Sequence, residues 1–145
     1  MAPAMARNLL RGVKRCKKGL MSNDDKGRRD ALLDFTRLLS KVSDDQGADV
    51  IKVCEKEGIM KALVEAMNSY EDINKESYTI NLALSCLANL SYFGGTKLVV
   101  NASGFVSVVN ISRKSSKSST QEFVVSVLQN MLLDARALGS INVQT

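Results

Sequence analysis

The sequence predicts an all-α chain, and three observations carry that reading. The single proline, Pro3, stands at the extreme N-terminus, so nothing after it forbids long helices. Aromatic residues make up 5% of the chain and tryptophan is missing, whereas the strands of sandwiches and barrels draw on aromatic and β-branched residues. Apolar residues recur at intervals of three and four through most of the chain, which is the spacing of one helix face. At 145 residues and 45% apolar content, this is one domain's worth of chain, long enough to bury a core.

The elements follow in order. From Arg7 to Met21, Leu9, Leu10, Val13, Cys16, Leu20 and Met21 alternate with cations, predicting a short basic amphipathic helix interrupted by Gly12 and Gly19. Ser22-Asn23-Asp24-Asp25 is a helix-start signal, with acids over the positive end of the dipole. Helices are then predicted near 25–40, 49–57, 59–67, 77–92, 97–103, 105–111 and 120–135, with Gly58, Gly94-Gly95 and Gly104 as stops. Ser119-Thr120-Gln121-Glu122 predicts a capping box at the start of the last helix. The stripe of that helix is Phe123, Val124, Val127, Leu128, Met131 and Leu132. Leu63, Leu84, Leu87, Leu90, Val127 and Leu128 are the predicted core.

Short helix, glycine, middle helix and long helix occur twice, about 41 to 46 residues apart, which marks an internal repeat. Val53-Cys54 superposes on Val99-Val100, Gly58 on Gly104, Leu87 on Leu128, and Asn89-Leu90 on Asn130-Met131. Two segments, Val53-Cys54-Glu55-Lys56-Glu57-Gly58-Ile59-Met60-Lys61-Ala62-Leu63-Val64 and Leu84-Ser85-Cys86-Leu87-Ala88-Asn89-Leu90-Ser91, resemble the armadillo repeat family. The first is similar to that family's end of helix 1, glycine turn and helix 2, the second to its helix 3. HEAT repeats share much of this pattern. The resemblance runs from about Asp24 to Ala135 and implies a right-handed helical solenoid of about two and a half repeats. Residues 1–22 would then be a basic arm and residues 23–145 the repeat domain. The middle helix lacks the proline common there in the family. Asn110 and Arg113 fall where the first copy has Val64 and Met67, so the second copy is expected to be degenerate, like a terminal, solvent-facing repeat.

The residues argue against catalysis. There is no histidine, which removes the usual general base and the Ser-His-Asp and Cys-His arrangements. No phosphate loop, dinucleotide fingerprint or HExxH occurs. No catalytic residue, metal ligand, cofactor or small-molecule substrate is therefore assigned. The three cysteines, Cys16, Cys54 and Cys86, are scattered singly, which excludes a disulfide scaffold and reads as small apolar core for Cys54 and Cys86. They point to an intracellular, unsecreted protein. No apolar run is long enough for a transmembrane helix.

Binding is the remaining class. Asn81, Ser85 and Asn89 are four apart and share one helix face, and Ser126 and Asn130 repeat the last two. The resemblance implies that third helices line a concave groove, where the asparagine bonds the backbone of an extended peptide. Two roles are open to these amides: such a groove, or bonds to neighbouring helix ends in packing. Importin-α-like repeats carry a tryptophan one turn before the asparagine, where this chain has Ser85 and Ser126, which disfavours nuclear-import cargo.

Charge is uneven. Residues 1–29 hold nine Lys or Arg against two acids, a net +7 within an overall +5, so the body is mildly acidic. Arg7, Arg11, Lys14, Arg15, Lys17 and Lys18 have no acid among them up to Met21. A docking arm outside the core is predicted, seeking an anionic surface: acidic protein, RNA or lipid headgroups. The stretch also fits a solubilising tail or, being acid-free, a mitochondrial presequence, which leaves the cytoplasm and the mitochondrion both open. Ser115, Ser116, Ser118 and Ser119, among Arg113, Lys114 and Lys117, resemble a basophilic kinase substrate, against the alternative of a plain solvated loop. The functional expectation is a protein-interaction scaffold or accessory subunit of a multi-subunit complex, with an RNA or membrane adaptor as the alternative.

Overall fold

The computed structural model describes residues 2–144, with side chains through Ala135. Among them are eight helices: α1 (Pro3–Leu20), α2 (Asp25–Ser40), α3 (Gly47–Glu57), α4 (Ile59–Asn68), α5 (Ser77–Tyr92), α6 (Thr96–Asn101), α7 (Gly104–Lys114) and α8 (Ser118–Gln144). A 3-10 turn, Asp44–Gln46, precedes α3, and no strand forms among the described residues. The chain is all-α. None of the described helices is long and apolar enough to cross a membrane.

Local chemistry sets the boundaries. Pro3 opens α1, where a missing N–H costs nothing. Asp24 caps α2 by accepting the Lys26 N–H. Gly58 ends α3 with φ +68°, a left-handed conformation that a Cβ would strain, and its N–H bonds the Cys54 and Glu55 carbonyls. The predicted capping box at Ser119–Glu122 does not form, because Ser119 already lies inside α8. Gln121 instead reaches back, donating to the Ser112 and Ser115 carbonyls and accepting from the Ser112 hydroxyl. At the 3-10 turn, the Ser43 N–H bonds Gln46 Oε1 at 3.1 Å.

The arm is corrected most. α1 is a continuous helix packed on α2, α3 and α4, with Leu9, Val13, Cys16 and Leu20 buried. Gly12 and Gly19 do not interrupt it. A Cβ at Gly12 would meet Leu38 Cδ2 at 2.5 Å, and one at Gly19 would meet Ala31 Cβ at 2.5 Å. Seven apart, the two glycines form a notch that lets α2 come close.

Helices α3–α5 and α6–α8 form two triplets in the same order, with matching buried positions. Ile59, Ala62, Leu63 and Ala66 of α4 correspond to Gly104, Ser107, Val108 and Ile111 of α7 at a spacing of 45. Thr79, Ala83, Cys86 and Leu90 of α5 correspond to Thr120, Val124, Val127 and Met131 of α8 at a spacing of 41. The Gly58–Gly104 equivalence is thus off by one. Ser103 takes the left-handed place at φ +62°, while Gly104 begins α7 so tightly that a Cβ would fall 2.6 Å from Val99 Cγ1. With that correction Val109, not Asn110, matches Val64, while Met67 matches the polar Ser112, so the expected degeneracy holds at the second position and not at the first.

Core and stripe mostly coincide with expectation. Leu63, Leu84, Leu87, Leu90 and Val127 are fully buried, whereas Leu128 is half-buried and Leu132 is 54% exposed. One substitution and one deletion test the revised role of α1. Leu20→Ala should cost about 2–5 kcal/mol, as Leu87→Ala should, measured by denaturant unfolding. Deleting residues 1–21 should unfold or strongly destabilise the chain. A folded deletion mutant of unchanged stability would return α1 to the status of an arm.

Candidate functional site

The basic surface is built by α1 itself. Its helical period puts Leu9, Val13, Cys16 and Leu20 against the body and carries Arg7, Arg11, Lys14, Arg15 and Lys18 to the opposite side, all five exposed. The ion pairs among the described residues are Arg28–Asp25, Arg37–Asp34 and Lys61–Glu65, so no cation of α1 has a carboxylate within 4.0 Å. A cleft of about 270 Å³ between α1 and α2 is lined by Arg11, Arg15, Asn8, Asp34 and Leu38, and its one acid already faces Arg37 at 4.0 Å. A second, of about 540 Å³, is lined by Lys14, Lys17, Lys18 and Met21, the last 70% exposed.

Lys17 differs from the other five. It is half-buried, and its Nζ lies 3.9 Å from where a Cβ of Gly58 would sit, over the C-terminus of α3. An ammonium there meets the negative end of the helix dipole, so Lys17 serves the fold. Arg28, a cation of the basic N-terminal third, is also spent internally. It pairs with Asp25, donates to the Ser22 carbonyl and to the Tyr70 hydroxyl, and lies 5.5 Å from the Tyr70 ring centroid.

The asparagine stripe divides. Asn81 Oδ1 accepts from Thr120 Oγ1 at 2.8 Å, and its amide reaches Ser119 Oγ at 3.4 Å. Asn130 donates to the Ala88 carbonyl at 2.8 Å. Both amides therefore join α5 to α8, and Ser126 back-bonds the Glu122 carbonyl. Ser85 and Asn89 are half-buried and form no side-chain hydrogen bond among the described residues. On the same side of α5 lie Tyr78 and Tyr92, each 57% exposed, and the half-buried Leu82. None of these three was among the expected groove residues, although 78, 82, 85, 89 and 92 follow the same helical spacing. Tyr92 donates to Asp44 at 2.9 Å, which pushes its hydroxyl pKa up. Beside it, Ser91, Tyr92, Asn130, Leu133 and Asp134 line a cleft of about 280 Å³. Asp134 is held there by the Thr96 N–H at 3.1 Å.

The serine loop is partly engaged. Ser115 is half-buried and its hydroxyl accepts the Lys117 N–H, while the Ser116 N–H bonds Asn74 Oδ1. Ser116, Ser118 and Ser119 are exposed. All three cysteines are buried, and burial pushes the Cys54 and Cys86 thiols up to about 12 and that of Cys16 higher still. Cys86 also contacts Thr36 Oγ1 at 3.3 Å, joining α5 to α2. Among the described residues no group of three His, Cys, Asp or Glu side chains is placed to hold a metal. Compared with protein-family models, curated proteins and solved structures, the chain finds no match.

Two measurements check these assignments. Asn130→Ala should lower unfolding free energy by about 1 kcal/mol, the worth of one hydrogen bond, whereas Asn89→Ala should change it by under about 0.5 kcal/mol. Raised pKa values keep the thiols protonated at pH 8, so a thiolate-specific reagent should label none of them until denaturant is added.

Proposed function

We propose that this chain is a non-catalytic interaction module, an armadillo-type right-handed helical solenoid acting as a scaffold or accessory subunit. Its principal docking surface is the exposed row Arg7, Arg11, Lys14, Arg15 and Lys18. The recurrence of buried positions at 45 and 41 residues supports the repeat architecture. One observation carries the docking surface: the cations face away from the core and none has a carboxylate within 4.0 Å.

An acidic protein surface is the partner that fits best. A lipid headgroup layer would be expected to take up the apolar side of a basic helix, yet Leu9, Val13 and Leu20 are buried in the body. Single-stranded RNA is gripped through aromatic stacking, and α1 carries no aromatic residue. The open side of α5, with Tyr78, Leu82, Ser85, Asn89 and Tyr92, is the remaining groove for an extended peptide. The serine loop lies apart from α1, and phosphate on Ser116 or Ser118 would reverse the local charge beside Lys114 and Lys117.

The test is association with the native partner at moderate salt. Arg7→Glu, Arg11→Glu and Arg15→Glu together should weaken it at least tenfold and flatten its salt dependence, with the helical circular dichroism unchanged. Equal binding by variant and wild type would overturn the proposal. Release of the partner by nuclease would move the function to nucleic acid.

A further inference from the structure

The link between α7 and α8 sets serines among cations. Ser115, Ser116 and Lys117 lie between the last residue of α7, Lys114, and the first of α8, Ser118, and the backbone leaves α7 extended at Ser115, φ −82° and ψ 131°. Arg113, Lys114 and Lys117 are exposed, and none has a carboxylate within 4.0 Å among the described residues. Arginine-directed serine kinases read an extended substrate, setting carboxylates of their own against cations two and three residues before the acceptor.

Register and geometry together select one hydroxyl. Ser116 has Arg113 three residues before it and Lys114 two before it. It is exposed, and among the described residues its hydrogen bond is made by the backbone N–H, to Asn74 Oδ1, which leaves the hydroxyl free. Its neighbours fail on one count or the other. Ser115 is half-buried and its hydroxyl accepts the Lys117 N–H. Ser118 follows Ser115 and Ser116 at those two intervals and already belongs to α8. Ser119 follows Ser116 and Lys117, and its hydroxyl accepts from the Asn81 amide at 3.4 Å. Thr120, three after Lys117, is fully buried and donates to Asn81 Oδ1. Ser40 follows Arg37 by three, but it is held in α2, donates to the Arg37 carbonyl at 2.7 Å, and its arginine faces Asp34.

The segment reaches an extended form at small cost, because Arg113 and Lys114 are the last residues of α7, where helices fray. The fold also accepts the product. A phosphate on Ser116 stands among three cations and just ahead of α8, whose positive N-terminal end favours an anion.

We infer that Ser116 is a phosphorylation site for an arginine-directed serine kinase, read through Arg113 and Lys114. Its Oγ attacks the γ-phosphorus of ATP, and the new O–P bond replaces the bond to the β-phosphate oxygen. ADP leaves, and the hydroxyl proton passes to the base of the kinase. The modification places a near-dianion in a link that is otherwise cationic. It goes beyond the docking row on α1 and does not depend on it.

The test uses the full chain, the catalytic subunit of cyclic-AMP-dependent protein kinase as an arginine-directed probe, and ATP labelled in its γ-phosphate. Incorporation should level off at about one phosphate per chain, and tandem mass spectrometry should place it on Ser116. Ser116→Ala should take up at least tenfold less, and Arg113→Ala should slow the reaction at least tenfold, both with unchanged helical circular dichroism. Ser118→Ala with Ser119→Ala should be modified as the wild type is. A folded chain that takes up no phosphate overturns the inference, as does an Arg113→Ala chain modified at the wild-type rate. So does phosphate that lands on Ser118 or Ser119, or that reaches Ser116 only after the chain is denatured.

Discussion

The structure depends on α5 being covered from two sides. Thr79, Ala83, Cys86 and Leu90 form one buried face, and the Cys86–Thr36 contact shows that it looks at α2. Asn81 and Ala88 are bonded by Thr120 and Asn130, so the next face looks at α8. Between these faces, Ile80, Leu84 and Leu87 are fully buried. A helix apolar over so much of its circumference cannot lie on a surface, and it forces helices to stack in series. At α1 the outward side of the series is cationic.

At α1 sequence and structure part company. Counting charge along residues 1–29 gives a net +7, which reads as a solvated arm. Charge along the chain is not charge around a helix. Winding at 3.6 residues per turn sorts the same residues into an apolar side and a cationic side, so one segment both closes the core and presents the basic row. The glycines misled for a related reason. Gly12 and Gly19 weaken an isolated helix, but facing Leu38 and Ala31 they remove the Cβ atoms that would hold α2 off. Tertiary contact overrode propensity, and no one-dimensional pattern records the neighbour.

Helix existence and most of the core were legible because the apolar spacing is strong and the breakers, Gly58 and Gly94-Gly95, are real. The register of α6–α7 against α3–α4 was legible only to within one residue. Residue identity suggested matching glycine with glycine, whereas the left-handed conformation belongs to Ser103, and Gly104 is required by packing against Val99. The asparagine stripe was legible as a stripe and not as a function. Spacing put Asn81 and Asn130 on the correct face, but an amide both donates and accepts, so partner peptide and neighbouring helix suit it equally. Only the distances, 2.8 Å to Thr120 and 2.8 Å to Ala88, decide for the helix. The same bonds leave Ser85 and Asn89 as the uncommitted polar pair on the open side of α5.

Removing those two amides from the site shifts the weight of any binding role onto the charged row of α1. Groove amides recognise a backbone in a fixed orientation, through short directional bonds. A row of unpaired cations works differently: it raises the encounter rate and tolerates varied geometry, while fixing little about the orientation of what it meets. Orientation then has to come from an apolar contact, whose packing is specific at close range. The α1 row is flanked by Met21, 70% exposed beside Lys14, Lys17 and Lys18, so an apolar contact is available next to the charge. An acidic partner that also offers an apolar side chain would use both, steered by the row and held in register at Met21.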